Sequence, residues 1–493
     1  MTADSRKWFA LAIICVGQFM VILDVSIVNV ALPSIERALH FSQQNLLWVL
    51  NAYALMFGGF LMLGGRVADK LGRRRVFITG VVVFTTASLF CGLATSTGWL
   101  VAARSVQGLG AAILSPAALS ILTVTFEEGR ERNTALSIWG AIAGAGGAFG
   151  VLLGGILTQE FGWQWIFYVN VPIGLVVVLA SIFILTHSLA EDENRGFDIP
   201  GAITLTGGLV LTVFGLVKST SWGWASAKTL GTLAAAVILI ALFVAIERRT
   251  KSALVPLSIF RNRSLSVSNL VSLTLGASIF SMFYFLSLYM QQVLGYSALR
   301  TGVGYLAIAG SIILAAGAAQ SLVAKFGVRL VMVVGMGLAA GGLVYFAQIS
   351  PHGTYLGTLL PGFLLAGVGL GLSFVPVTIG AMSGVVPNRA GVASGLITTT
   401  QQIGGALGVA VLSTIAVSAT TRFIGAHGHE PLIMANALNH GFSIAFWFGA
   451  VFAGIGCLIA LFGMNSIRLT GALASEPAIA KPPREVEPGS TRK

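Results

Sequence analysis

The chain has 493 residues, 56% of them hydrophobic and only 9% charged, with a mean hydropathy of +0.88. A soluble domain carries about a quarter charged residues and could not hide this much apolar surface in one core, so the composition excludes a soluble globular protein and predicts a polytopic membrane protein. The formal charge of +12 does not point to nucleic acid, because the basic residues cluster in alternate loops between apolar segments.

The first apolar run follows Arg6 and Lys7 and is about 24 residues long, too long for a signal-peptide core, so an uncleaved first span is expected. A membrane-crossing helix needs about 20 apolar residues. Segments of that kind are predicted near 9–32, 46–65, 76–95, 99–124, 134–157, 165–186, 199–217, 229–247, 266–291, 302–323, 329–349, 356–380, 394–418 and 442–464, fourteen in all. An even count puts both termini on one side. With the amino terminus inside, Arg37, Lys218, Lys228, Arg300 and Arg422 fall in outer loops and Arg104 inside a span. That leaves 23 of the 29 Lys and Arg residues on the cytoplasmic side, the bias that the positive-inside rule describes.

Span 1 contains "VILDVSIVNVALP" (Val21–Pro33), in which Asp24 is the one acid of seventeen placed deep within a span. A charged carboxylate there costs several kcal/mol unless it is compensated. Removal from water favours the neutral form, which suits a group that takes up and releases protons. The alternative is an aspartate permanently paired, or one that caps a broken helix.

The loop after span 2 reads "GGRVADKLGRRR". Gly65 and Gly72 permit a tight turn, and Arg73, Arg74 and Arg75 suit any cytoplasmic loop; Asp69 is not explained that way. Span 4 brings in Arg104. At 1.5 Å per residue it lies roughly 6 Å below the outer surface and Asp24 roughly 12 Å, a difference that an arginine side chain can bridge if the helices adjoin. Gln107, Gly108, Ala111 and Ser115 continue the Arg104 face at helical spacing. Snorkelling of Arg104 to lipid headgroups is the competing placement.

Span 5 aligns Gly140, Gly144, Gly147 and Gly154, with Gly146, Gly150 and Gly155 nearby. Small residues at such spacing let helix backbones approach closely, for sliding or for static packing. Span 9 offers Phe283 and Tyr284 among other aromatics. With Gln107 and Gln401 they are candidates for a substrate cavity, and such stripes equally serve packing or lipid contact. The three cysteines, Cys15, Cys91 and Cys457, lie inside apolar segments without metal-ligand spacing. No nucleotide-binding loop occurs and no soluble domain is large enough to hydrolyse ATP, so a primary pump is not expected.

The chain also repeats. Ala135–Val151 and Ala393–Val409 share Gly-Gly-Ala-x-Gly-Val at an offset of 258, while Lys70, Gly72, Arg74 and Gly80 match Lys325, Gly327, Arg329 and Gly335 at an offset of 255. Two six-span halves are predicted, 1–187 and 264–467, with two further spans in 188–263 and a disordered polar tail over 468–493. Parallel halves of this kind place a transport site at their interface near the midplane.

Taken together, "LDVSIVNVALPSI", "GGRVADKLGRRR", "RSVQGLGAA", "GAFGVLLGG", "FGWQWIFYVNVPIG" and "LYMQQVLGYSALRTG" resemble the major facilitator superfamily, and within it the 14-span drug:proton antiporter branch. The resemblance covers nearly the whole chain before the polar tail. It implies an all-α polytopic membrane protein of the major facilitator fold, two six-helix bundles with two extra central helices. It further implies export of lipophilic drugs or antibiotics by alternating access, with no enzymatic activity.

Within that resemblance, Arg104 joins Asp24 in proton transfer. Gly65, Asp69, Gly72, Arg73 and Arg74 form a cytoplasmic charge lock, and Gly140, Gly144, Gly147, Gly150, Gly154 and Gly155 a helix-packing antiporter motif. The sequence departs from the pattern at Val151, where proline is usual, and at Gln164 and Gln401, where arginine is common. Ala324 stands where the second half would repeat Asp69.

No cofactor is expected, the proton gradient being the energy source. The expected partners are a small lipophilic substrate, protons and the bilayer, not nucleic acid. A monomer in the cell membrane with both termini cytoplasmic is expected. One carboxylate in the cavity, contested by proton and cargo, suits neutral, monocationic or amphipathic substrates. A transporter of a specific metabolite (amino acid, sugar or siderophore) and a non-transporting receptor are the alternatives.

Overall fold

The computed structural model describes residues 3–126, 130–185, 198–250, 253, 255, 257–385, 390–427 and 431–464; the polar tail lies outside them. The long helices are α1 (Ala3–Leu39), α2 (Trp48–Leu71), α3 (Arg73–Gly92), α4 (Thr97–Thr125), α5 (Arg130–Glu160), α6 (Asn170–Ile184) and α7 (Ile199–Trp222). They continue as α8 (Ala227–Arg249), α9 (Arg263–Leu288), α10 (Leu306–Phe326), α11 (Val328–Phe346), α12 (Leu360–Met382), α13 (Ala390–His427) and α14 (Pro431–Gly463). A one-turn helix, Trp165–Tyr168, precedes α6, a π-helical turn, Tyr289–Val293, extends α9, and a short helix, Ala298–Gly304, leads into α10. No strand occurs among the described residues. In hydrocarbon only helices or a closed barrel can satisfy every backbone polar group, and the chain takes the first course.

Among the described residues, 13 helical segments are long and apolar enough to cross a membrane. The fifth expected span is not one of them. It does form a helix, Arg130–Glu160, several of whose side chains lie outside the described residues.

Helix ends follow local chemistry. Ser96, Ser226 and Asn262 each accept a backbone N–H of the first turn of α4, α8 and α9, satisfying donors that a helix start leaves open. Gly72 (φ +96°) and Gly327 (φ +84°) separate α2 from α3 and α10 from α11. Both backbones lie where a side chain is strained, so glycine recurs at both turns.

The repeat is visible in the packing. α1 lies against α4, α5 and α6, α2 against α4, and α3 against α4 and α6; α9 repeats this with α12, α13 and α14, α10 with α12, and α11 with α12 and α14. The close approaches repeat as well. A side chain at Gly108 would strike the Tyr53 carbonyl, and one at Gly367 the Ile308 carbonyl. α7 packs on α2, α8 and α13. Asn51 Nδ2 of α2 donates to the Ala406 carbonyl of α13 at 3.0 Å, tying the two sets of six helices side to side.

Candidate functional site

Asp24 lies on α1 with no solvent exposure, and Arg104 on α4 is 1% exposed. Arg104 Nη1 donates to Asp24 Oδ2 at 2.5 Å, so the partner expected from depth alone is the one found. Snorkelling to headgroups is ruled out by this burial. The same nitrogen donates to Gln107 Oε1 at 2.8 Å, and Arg104 Nε donates to the Val49 carbonyl at 3.0 Å. The guanidinium also stands over the Tyr53 ring, 4.4 Å from its centroid, a favourable place for a desolvated cation.

The other carboxylate oxygen is equally occupied. Asp24 Oδ1 accepts from Gln107 Nε2 at 2.8 Å and from Asn170 Nδ2 at 3.3 Å. Asn170 Nδ2 also donates to Ser88 Oγ at 3.0 Å, and Ser88 donates to the Phe167 carbonyl at 2.9 Å. Cys91 Sγ donates to Gln107 Oε1 at 3.4 Å. Side chains of α1, α3, α4 and α6 thus enclose one ion pair, and α2 covers it with Tyr53. A buried pair is tolerated only when its remaining hydrogen-bonding capacity is met, and here both carboxylate oxygens are engaged. Nothing singles out Ser88 in the sequence; Cys91 is marked there only as a cysteine within an apolar segment, and Asn170 only as the asparagine of "FGWQWIFYVNVPIG".

Three expectations about the cavity change. Asp24 was expected to face an aqueous cavity, but α3, α4 and α6 seal it completely. Gln107 was assigned to the substrate cavity, yet it is buried and hydrogen-bonded to both members of the pair. Tyr284 also leaves the cavity list, being 1% exposed and packed edge-on against Phe285 at 5.1 Å. Phe283 is half-buried with its ring 5.2 Å from that of Tyr305. Gln401 is half-buried, and its backbone carbonyl is the atom that a side chain at Gly276 would strike.

The glycines of α5 hold α1 in place beside Asp24. A Cβ at Gly150 would lie 2.6 Å from Ser26 Cβ and 3.0 Å from the Leu23 carbonyl, and one at Gly154 2.8 Å from the Ile27 carbonyl. Gly146 meets Ile22 in the same way at 2.9 Å. The contact stripe is therefore 146, 150 and 154, at a strict spacing of four, and not the row through Gly147. Gly155 faces the other way, where a Cβ would lie 2.8 Å from the Ala298 carbonyl. Gly140 and Gly144 belong to the helix, but their surroundings lie outside the described residues.

Gly150→Ala is accordingly expected to destabilise the protein by about 1–3 kcal/mol through overpacking, whereas Gly147→Ala, whose Cβ would sit 3.9 Å from Ser26 Oγ, should be tolerated. Thermal unfolding of the two purified variants checks this contrast. Equal midpoints would contradict it.

The charged loop is arranged locally. Arg73 Nη2 lies 3.6 Å from Asp69 Oδ1 across the α2–α3 turn, and Asp69 is mostly exposed. Arg74 donates to the Ile182 carbonyl at the end of α6, which Arg6 also caps through the Ile184 carbonyl at 3.0 Å. Arginines there satisfy the open carbonyls of a helix end. Gly65 is roomy, with Pro116 Cβ 3.6 Å from an added Cβ; its neighbour Gly64, which the sequence did not single out, is the one pressed against the Ala112 carbonyl. In this arrangement the Asp69–Arg73 pair stays within one turn.

Comparison with known proteins agrees with this fold. The model of the Major Facilitator Superfamily matches residues 14–409. The puromycin resistance protein pur8 of Streptomyces alboniger is 37% identical over 456 residues, covering 90% of this chain and 89% of that protein. The cephamycin export protein CmcT of Amycolatopsis lactamdurans is 40% identical over 421 residues, covering 85% and 86%. Among solved structures, a bacterial homologue of the human lysosomal transporter Spinster, in an inward-facing and unoccupied conformation, superposes with a TM-score of 0.67 at 16% identity over 93% of this chain and 97% of that one. An all-α chain with this fold, this match and these relatives belongs to the major facilitator superfamily, a family of transporters and not of enzymes.

Proposed function

We propose that this protein exports lipophilic antibiotics or similar drugs from the cell in exchange for protons, with Asp24 as the proton-binding carboxylate and Arg104 as its competitor. The relatives named for puromycin resistance and cephamycin export support the substrate class. The observation that carries the coupling is the sealed Asp24–Arg104 pair. Two fully buried opposite charges are costly to keep and seldom serve stability better than apolar packing would, which favours a working role.

The sealed geometry alters how proton and cargo compete. With both Asp24 oxygens engaged, neither has room at the carboxylate in this arrangement. A proton must displace Arg104, which requires α1 and α4 to shift. Because α1 is clamped to the glycine face of α5, and α5 meets the 298–302 segment at Gly155, such a shift is felt by the second set of helices. Drug binding and protonation then favour different arrangements of two rocking bundles, 1–187 and 264–467, and differential affinity for the two is all that coupling needs. Each proton moved gains about 2.3 kcal/mol per 100 mV of membrane potential.

Orientation follows from the distribution of basic residues, which puts the Arg73–Arg75 loop in the cytoplasm and the Glu36 end of α1 outside. Cells producing the protein should expel a lipophilic dye or puromycin when energised and lose that ability on addition of a protonophore. Undiminished export with the gradient collapsed would refute proton drive, and an absence of export with many lipophilic compounds would favour a metabolite transporter.

A further inference from the structure

At the ends of α1 and α9 the two six-helix sets meet side chain to side chain. Glu36, half-buried in the last turns of α1, accepts a hydrogen bond at Oε2 from Gln292 Nε2 at 2.5 Å. Beside it, Gln291 Nε2 donates to the Val30 carbonyl at 2.7 Å. Both glutamines sit on the π-helical turn Tyr289–Val293, an irregularity frequent at functional sites.

Arg37, the next residue, lies close enough for its charge to act on Glu36, while its Nε donates to the Pro33 carbonyl of the same helix at 3.1 Å; the contacts that cross the junction beside the pair are neutral. Gly155 lies against the Ala298 carbonyl, Gly302 against the Val151 carbonyl, and Leu299 N donates to Gln159 Oε1 at 3.3 Å. Such contacts give shape but little bond strength. The Glu36–Gln292 bond differs in having a carboxylate acceptor, and a hydrogen bond to a charged group is roughly twice as strong as a neutral one.

The opposing term sits on the same side chain. Gln292 Oε1 is buried without a hydrogen-bond partner among the described residues, an arrangement that costs free energy while the junction is closed and is relieved when water enters. One end of the amide favours closure and the other favours opening. A fastening that must hold and then release has that balance.

We propose that Glu36 and Gln292 form the latch of the outer gate, the charge on Glu36 holding the two bundles together on the outside until the transport cycle parts them. The latch rests on the alternating-access function proposed above. It assigns a positioning role to an acid of the membrane edge that neither the motif resemblance nor the Asp24 network uses.

The test reads the gate directly, without substrate or proton gradient. Thr158 of α5 is 8% exposed and its hydroxyl has no partner among the described residues, so Thr158→Cys removes no hydrogen bond there and places a thiol on α5 next to Gln159, which accepts from Leu299 N across the junction. Labelling of that thiol by a membrane-impermeant maleimide from outside is measured in the parent, in Glu36→Gln, in Gln292→Glu and in the double exchange Glu36→Gln/Gln292→Glu. Wild-type protein supplies the background from the native cysteines.

Each single change should speed labelling several-fold: the first removes the charge, and the second sets two carboxylates face to face. The exchange restores a carboxylate–amide pair with its polarity reversed and should bring labelling back to within about twofold of the parent. Gln292→Leu, which removes the donor together with the orphaned oxygen and leaves the Glu36 carboxylate without its bond, replaces Gln292→Glu if that variant does not fold; because the bond to the charged group is the stronger of the two effects, it should likewise speed labelling. Unchanged rates in the single variants, or an exchange that labels as fast as they do, would overturn the latch. Dye export is followed in parallel, so loss of the exporter function and loss of the latch give different results.

Discussion

Asp24→Asn is expected to reduce proton-driven export to the level of cells lacking the protein. The carboxamide is nearly the same shape, and its oxygen can still accept from Arg104, but it cannot alternate between charged and neutral forms. From the sequence alone the expectation is loss of proton-coupled export with membrane insertion intact. The pairing in the structure adds to that expectation: Arg104 stays charged, buried and without a counter-charge. Removing one partner of a buried pair costs about 3–5 kcal/mol, here offset in part by the amide oxygen. The variant should therefore be inactive and also unfold at a lower temperature.

Stability and transport can be separated by a second change. Asp24→Asn/Arg104→Gln removes both charges, and replacing a whole buried pair by neutral groups is often close to neutral in stability. The double variant should regain most of the lost midpoint in detergent and still export nothing. Recovery of export along with stability would mean that the pair is a structural strut and not a proton site.

Changes at Arg104 alone have the second large effect. Its guanidinium serves three acceptors at once, Asp24 Oδ2, Gln107 Oε1 and the Val49 carbonyl, and lies over Tyr53. Lysine keeps the charge but not the planar fork that meets several acceptors. Arg104→Lys should fold with reduced export, because one ammonium cannot hold both Asp24 and the Val49 carbonyl in place. Arg104→Gln leaves Asp24 buried without its counter-charge and should lose about 3–5 kcal/mol together with export. Efflux rates and unfolding midpoints of the two variants, compared side by side, check the order Arg, Lys, Gln. If all three exported equally, the arginine would have no part in coupling.

Much of this was legible in the sequence, for identifiable reasons. Span lengths and loop charges depend only on local composition, and each expected span overlaps a helix, although among the described residues 13 of the fourteen are long and apolar enough to cross a membrane. Asp24 stood out because one acid in hydrocarbon has few physical excuses, and helix rise alone brought Arg104 to within reach of it. The glycines of α5 announced close packing, although which of them touch α1 depends on the rotation of the helix, which the spacing leaves open between two adjacent rows.

What escaped depends on neighbours distant in sequence. Gln107 lies on the Arg104 face as periodicity required, but the same periodicity fits a side chain aimed at a cavity and one aimed at Asp24. Asn170 and Ser88 are ordinary polar residues until α3 and α6 bring them to the carboxylate. Glu36 looked like a loop acid because its partner Gln292 is 256 residues away. Tyr284 sits in an aromatic stripe, and only the packing of α9 on α13, where its hydroxyl meets Ser413, shows that it points into the core.

The central claim is that a proton bound at Asp24 is exchanged for drug. Purified protein reconstituted in vesicles with an imposed pH gradient tests it most directly, with a lipophilic dye followed on one channel and internal pH on another. Dye movement against its gradient with matching proton counterflow is predicted for the wild type, and neither flux for Asp24→Asn. Wild-type vesicles that move dye without protons, or Asp24→Asn vesicles that carry out the full exchange, would contradict it.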